Sequence, residues 1–189
     1  GTVFKYFPTK RELLNRVIEH WYGELFGDYT KDLSMIRGAR NRFRYLVWRH
    51  LKTIREWPGM CRLLFSEVRS QPGYARSPLH RMNLKYTGLF LDVLREGIGA
   101  GEFRDDAPLE LLRDVVYGGI EHHAWGFLYG HAVLDAERSA DQITELVCGG
   151  IERRRPADAT PSPTELATLA DRLERVAATL RPAIPGRKR

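Results

Sequence analysis

Apolar residues recur every three or four positions along most of the chain, which is the spacing of one face of an α-helix. In the first such segment, pairs of apolar residues repeat every four positions from Leu13 to Phe26, and they predict a helix over about residues 10 to 31. Thr9 and Glu12 stand three residues apart at its start. They fit a capping box, in which side chains satisfy amide donors of the first turn, so the start of this helix is well defined.

Five further segments show the same period and are separated by proline and glycine, which interrupt helices. The second predicted helix ends before Pro58, the third is short, the fourth stops at Gly99, the fifth begins near Pro108 and the sixth lies near 138–154. Their apolar positions are Phe43, Val47, Leu51 (or His50), Ile54; Cys61, Leu64, Phe65, Val68; Met82, Tyr86, Phe90, Val93, Leu94, Ile98; Leu112, Val115, Val116, Gly119, Ile120, His123; Ile143, Leu146, Val147, Gly150, Ile151. No Asn-Gly or Asp-Gly hairpin turn occurs. We therefore predict an all-α fold.

The composition changes after Arg155. A polar linker rich in proline, alanine and threonine is followed by an amphipathic segment from Leu166 to Leu180 and by a basic tail over 186–189. A helix of about 18 residues is marginal in isolation. We expect it to pack on the body of the protein or on a second subunit.

Charge is distributed unevenly along the 189 residues. The net charge is +6, and this excess lies at the two ends, with +2 in residues 1–20 and +4 in residues 152–189. Between them, residues 37–62 carry eight basic groups against one acidic group, whereas residues 96–145 carry eleven acidic groups against three basic ones. The asymmetry predicts an anionic partner at the ends and charge pairing within the middle.

The remaining composition excludes several classes of protein. With 43% hydrophobic residues and two widely separated cysteines, the chain is neither disordered nor stapled by disulfides, and we expect a cytoplasmic protein with free thiols. Glu121, His122 and His123 form a cluster of metal-ligand types, but adjacent histidines on a helix point about 100° apart. A packed histidine pair is the better prediction, and we expect no metal and no cofactor.

The first fourteen residues, Gly-Thr-Val-Phe-Lys-Tyr-Phe-Pro-Thr-Lys-Arg-Glu-Leu-Leu, carry the most specific motif. Aromatic and basic residues run into a capped helix N-terminus, a combination that suits backbone phosphates. The segment resembles the end of the helix-turn-helix of TetR-family transcriptional regulators. Its alternative interpretation is an ordinary aromatic-rich helix end that packs on the next helix.

The resemblance implies a DNA-binding protein whose recognition helix ends near Phe7. By position, Thr2, Phe4, Lys5, Tyr6 and Lys10 would contact operator DNA, although the family usually has Tyr where Phe4 stands. Because two further helices precede this motif in the family, we expect a truncated helix-turn-helix over residues 1–14. A helical effector-binding and dimerisation domain would follow over 15–155, and a linker, helix and basic tail over 156–189.

The family resemblance also implies a homodimer and a small hydrophobic or aromatic effector, with no membrane association. The residues expected at the ligand are Trp57, Phe65, Met82, Tyr86, Phe90, Tyr117, Glu121 and Trp125. Those expected at the dimer interface are Val115, Gly119, His122, Gly126, Ile143, Val147 and Gly150.

A ligand-responsive repressor is therefore the predicted function, and no catalytic residues are expected. Two other classes stay open at this point: an all-helical enzyme that uses the aromatic cavity, and a helical adaptor that uses the C-terminal helix. Neither alternative requires the motif of the first fourteen residues.

Overall fold

The computed structural model describes residues 6–7, 9–153 and 162–180, and the chain forms two compact units that divide after Arg153. The described part contains seven α-helices and no β-strand, which confirms the all-α prediction. A π-helical turn and a 3₁₀ turn connect the third helix to the fourth. The elements are α1 (Lys10–Met35), α2 (Ala39–Glu56), α3 (Pro58–Arg62), the π-turn (Leu63–Val68), the 3₁₀ turn (Tyr74–Arg76), α4 (Pro78–Gly99), α5 (Leu109–Leu128), α6 (Ala136–Ile151) and, in the second unit, α7 (Pro163–Leu180).

The helix starts are set by capping groups. Thr9 Oγ1 accepts a hydrogen bond from the backbone N–H of Glu12 at 3.1 Å, which confirms the predicted start of α1. At α2 the N-cap is Gly38, which has no side chain. The carboxylate of Glu102 replaces it from the loop after α4 and accepts from the N–H of Ala39 at 2.9 Å.

Three helix limits differ from the prediction. Helix α1 continues to Met35, because Leu33 extends its buried face by two further turns. The sixth helix begins at Ala136 and ends at Ile151, two or three residues earlier at each end than expected. The third predicted helix is α-helical only to Arg62, after which the chain widens into the π-turn.

Helix α2 is the centre of the first unit. It buries Phe43, Val47 and Ile54 completely or almost completely and packs against α6, α4, α5 and α1. Phe43 meets Phe90 of α4 with ring centroids 5.0 Å apart. Burying such side chains contributes about 1.5–3 kcal/mol each, so the position of α2 holds the other helices in place.

Ion pairs join the basic segment to the acidic one, as the charge pattern predicts. Arg44 on α2 contacts Asp141 on α6 with 2.6 Å between Nε and Oδ1, and Arg40 pairs with Glu145 one turn further along. The partners are more than a third exposed, so each pair contributes at most about 1 kcal/mol. Their effect is to align α6 with α2.

The second unit is a single described helix. On α7 the leucines that form its apolar stripe, Leu166, Leu169 and Leu173, are 48–68% exposed. Its packing on another surface stays a prediction. Among the described residues, none of the helices combines the length and hydropathy that a membrane span requires. Cys61 and Cys148 are buried and free.

One close approach in the first unit requires glycine. A Cβ at Gly97 on α4 would lie 2.3 Å from Cδ2 of Phe103 and 2.7 Å from Cβ of Ala39. Phe103 is 1% exposed and follows α4 in the loop that reaches α6. The absent side chain therefore admits the ring that closes this end of the core.

We predict that Gly97→Ala lowers the free energy of unfolding by about 1–3 kcal/mol, because the added methyl group overpacks the core. Gly88 on the same helix is the matched control, since a Cβ there meets nothing within 4 Å. Gly88→Ala should raise stability by up to about 1 kcal/mol through helix propensity. Urea unfolding of both variants measures the difference, and equal effects would contradict the packing explanation.

Candidate functional site

A small internal cavity lies where α1, α2, α4 and α5 meet the π-turn. Its volume is about 20 Å³, which is room for one water-sized group. Its wall is predominantly apolar and aromatic, with a few polar groups among them. The lining residues are Trp21, Tyr22, Leu25, His50, Thr53, Cys61, Leu64, Phe65, Arg69, Asn83, Tyr86, Thr87 and Tyr117.

Helical spacing explains why these side chains converge. Trp21, Tyr22 and Leu25 lie on the buried face of α1, one turn apart. The π-turn contributes Leu64 and Phe65, and π-turns are frequent at functional sites because the extra residue per turn redirects the side chains. The site thus combines a regular helix face with one irregular segment.

Arg69 is the only charged residue that lines the cavity. Its Nη1 lies 2.6 Å from Oε1 of Glu121, its guanidinium stacks on the Phe65 ring at 4.9 Å, and Asn83 accepts from its Nη2 at 3.4 Å. Tyr22 donates to the same Asn83 oxygen at 3.1 Å. Glu121, which we predicted at the ligand, therefore neutralises and orients the arginine beside the cavity.

A second group of polar side chains is fully enclosed. Burial lowers the pKa of His50 to about 3, with the Arg69 charge adding to the effect, and burial raises the pKa of Tyr29 to about 12. Burial also raises the pKa of the Cys61 thiol to about 12. These groups are neutral at physiological pH and form hydrogen bonds, and the thiol has none of the thiolate character that a nucleophile needs.

The structure brings part of the predicted ligand set to the cavity. Phe65, Tyr86 and Tyr117 line it. Phe90 lies behind Tyr117, with ring centroids 5.9 Å apart, and Met82 is partly buried against the core. The spacing of aromatic residues therefore indicated the right region of the fold.

Trp57 and Trp125 are corrections to that set, because neither lies among the cavity residues. Trp57 is 53% exposed at the junction between α2 and α3, where the chain turns before Pro58. Trp125 is 55% exposed on the outer face of α5, where it packs against His122 and Tyr129. Apolar character alone does not distinguish an outward face from an inward one.

Several cavity residues were missing from the sequence prediction. Trp21 and Tyr22 belong to the apolar stripe of α1, and they could have been chosen because two large aromatic residues occupy one turn. Thr53, Asn83 and Arg69 carry no such signal, since polar residues in a helical pattern ordinarily face solvent. Only the tertiary structure shows that they face inward.

A second concave surface lies outside, between α5 and α6. This apolar groove has a volume of about 740 Å³. Two of its aliphatic residues are strongly exposed, Val115 at 57% and Leu146 at 77%. Its lining residues are Val115, Val116, Gly119, Ile120, His123, Ser139, Gln142, Ile143, Glu145, Leu146 and Val147.

Four residues predicted at the dimer interface, Val115, Gly119, Ile143 and Val147, line this groove. The other three lie outside its lining. His122 and Gly150 are exposed, His122 beside Trp125. Gly126 has an explanation within the chain, because a Cβ there would lie 2.9 Å from Cβ of Ala132.

The predicted DNA contacts fall at the start of the chain. Thr2, Phe4 and Lys5 lie outside the described residues. Tyr6 is 73% exposed, and Lys10 is the exposed first residue of α1. The same helix therefore carries Lys10 at its start and Trp21 at the cavity.

The fold and the cavity define an all-helical ligand-binding domain. Residues 37–151 match the family described as tetracyclin repressor-like, C-terminal domain, which is more than half of the chain. The chain therefore belongs to the TetR family and is a transcriptional regulator.

Regulators of known role share this sequence and fold at low identity. The fatty acid metabolism regulator protein of Bacillus subtilis is 19% identical over 154 residues, 82% of this chain and 79% of that protein. The transcriptional repressor KstR2 of Rhodococcus jostii is 23% identical over 80% of this chain and 74% of its own. The structure of FadR from Bacillus subtilis in complex with stearoyl-CoA superposes with a TM-score of 0.70 at 20% identity, covering 80% and 81% of the two chains.

We predict that His50 makes folding pH-dependent. Its pKa is about 3 in the folded protein against an ordinary value of 6.5, so below pH 6.5 only the unfolded chain binds the proton. The contribution is complete above that pH, and about 2 kcal/mol of it is lost between pH 7 and pH 5.

The measurement is urea unfolding at both pH values for the wild type and for His50→Gln. The variant starts from a lower stability, but its loss between pH 7 and pH 5 should be smaller by about 2 kcal/mol. If both proteins lose the same free energy, His50 is not the group that titrates.

Proposed function

We propose that this regulator is a homodimeric repressor of operator DNA that a small hydrophobic effector releases. The observation that carries the proposal is the double role of α1. Its buried face supplies Trp21, Tyr22 and Leu25 to the cavity, and its first residue is Lys10. Eleven residues of helix, about 16 Å, connect the cavity to the proposed DNA contact.

The size of the cavity supports a mechanism in which the effector moves helices. Sites for small molecules have volumes of about 300–1,000 Å³, whereas this cavity holds one water-sized group. An effector must therefore separate α1 and the π-turn from α4 and α5. A displacement of α1 would change the position of the DNA-binding residues, so that effector and DNA disfavour each other reciprocally.

The required coupling is modest. A typical coupling free energy of about 1–3 kcal/mol weakens DNA binding by about 5- to 150-fold, which is enough for a switch. The apolar and aromatic wall favours a hydrophobic effector, in line with the stearoyl-CoA bound to FadR. The buried groups of the wall are held neutral, and this supports binding rather than acid–base catalysis.

The proposed dimer uses the groove between α5 and α6. A second copy related by a two-fold axis would place the same apolar strip against itself, which is the geometry of most homodimers. It would also place two recognition helices on successive half-sites of the operator. We retain residues 1–14, 15–155 and 156–189 as the proposed DNA-binding remnant, effector and dimerisation domain, and C-terminal extension, in a cytoplasmic protein.

We predict that Leu146→Glu dissociates the dimer, because it places a charge in the middle of the apolar groove. The dissociation constant should rise by about 100-fold or more. Leu84→Glu is the matched control, since Leu84 is 46% exposed on α4 and does not line the groove. Sedimentation velocity measures the mass of both variants. A Leu146→Glu variant that stays dimeric would place the interface elsewhere.

We predict that the natural gene product binds DNA from upstream of its own gene more tightly than random duplex. Lys10→Ala should weaken this binding and lower the slope of log K against log salt by about 1, because one phosphate contact is lost. Lys31, exposed near the other end of α1, supplies the control Lys31→Ala. Fluorescence anisotropy at several salt concentrations measures both. Equal slopes for the two variants would contradict a phosphate contact by Lys10.

A further inference from the structure

Five groups form a continuous chain of hydrogen bonds in the core beside the cavity. Thr53 Oγ1 lies 2.8 Å from the backbone oxygen of Arg49 and 3.2 Å from the Tyr29 hydroxyl. The Tyr29 hydroxyl lies 2.9 Å from that of Tyr86, which lies 2.7 Å from Nδ1 of His50. The chain thus connects α1, α2 and α4.

The direction of every bond follows from its first acceptor. The carbonyl oxygen of Arg49 can only accept, so the single hydroxyl proton of Thr53 is used there. Tyr29 must then donate to Thr53, and Tyr86 must donate to Tyr29, because each hydroxyl has one proton. The Tyr86 oxygen is left as an acceptor, and His50 must donate to it from Nδ1–H.

This direction determines the tautomer of His50. Burial and the Arg69 charge keep the pKa of the imidazole near 3, so the ring is neutral and carries one proton. That proton is on Nδ1, which makes Nε2 an acceptor. Nε2 is buried and has no hydrogen-bond partner in the described part of the chain.

The cavity contains a matching donor. Trp21 and His50 both line it, and the indole Nε1–H of Trp21 is likewise buried without a partner among the residues described. An indole N–H can only donate. The cavity therefore offers one acceptor and one donor to a space of about 20 Å³. A hydroxyl group both donates and accepts, whereas a ketone oxygen only accepts and a methylene group does neither.

We propose that the cavity selects a hydrophobic effector that carries a hydroxyl group, which donates to His50 Nε2 and accepts from Trp21 Nε1. This inference rests on the proposed effector function of the cavity and specifies its ligand class. A ketone in the same place would leave the His50 acceptor unpaired and facing another acceptor, which is costly in a buried site.

The first test compares 2-decanol with 2-decanone, which have the same carbon skeleton and differ in the hydroxyl proton. Isothermal titration calorimetry on the full chain should give about 5- to 150-fold tighter binding of the alcohol. Equal affinities, or tighter binding of the ketone, would overturn the inference.

Thr53→Val is the decisive variant, because it removes the acceptor that sets the direction. Tyr29 would then donate to Tyr86, Tyr86 would donate to His50 Nδ1, and the imidazole proton would move to Nε2. The preference should reverse toward 2-decanone. Thr87→Val is the matched control: Thr87 also lines the cavity, but its hydroxyl donates to the backbone oxygen of Asn83. The control should keep the preference for the alcohol.

The tautomer can be measured without any ligand. ¹⁵N NMR of histidine-labelled protein should show the proton on Nδ1 of His50 in the wild type and on Nε2 in Thr53→Val. A wild-type proton on Nε2 overturns the inference and leaves the proposed function standing. If neither probe binds and neither shifts the His50 signals, the effector role of the cavity fails, and the inference fails with it.

Discussion

The rest of the structure depends on the requirement that polar groups buried among three helices satisfy each other. Tyr29, Thr53, Tyr86 and His50 are all less than 10% exposed, and each unpaired hydroxyl or imidazole there would cost about 1–3 kcal/mol. Their hydrogen bonds hold α1, α2 and α4 at one relative position. The apolar core around Phe43 supplies most of the free energy, but it tolerates small shifts that the hydrogen-bond chain does not.

The same requirement explains how a small cavity can act as a site. Where the chain of hydrogen bonds ends, at His50 Nε2, the protein leaves one acceptor without a partner in the described residues, beside the equally unpaired Trp21 N–H. Unsatisfied buried groups are a local loss of stability that a bound group can recover. The wall of the cavity is therefore where an incoming molecule gains most from matching the protein.

The sequence allowed the helices to be predicted, because their apolar periodicity and caps are local properties. The start of α1 at Thr9 and the break before Pro58 follow from residues within one turn of each other. The pairing of basic α2 with acidic α6 was also predictable, since opposite charges in two segments can be counted. The site was harder. Phe65 and Tyr117 were chosen as aromatic residues in the right helices, but the same criterion chose Trp125, which lies outside.

What the sequence could not provide is the direction in which a polar side chain points. Thr53 and Arg69 have the residue types of a solvated face, and only the crossing of α1 and α4 over α2 encloses them. The π-turn adds to this difficulty, because its extra residue shifts the register of every side chain after Arg62. A 3.6-residue period applied across that turn assigns the wrong face.

Helix α5 shows why cavity and groove can communicate. Tyr117 faces the cavity, while its neighbours Val116 and Gly119 line the exposed groove on the same helix. A rigid helix cannot move one side without moving the other, so an effector that displaces Tyr117 also displaces the groove. Because α1 lines the opposite wall, expansion of one cavity moves both the DNA end of the chain and the proposed dimer surface. Response to the effector then requires no separate pathway between these two surfaces, since each lies one helix away from the space that the effector must open.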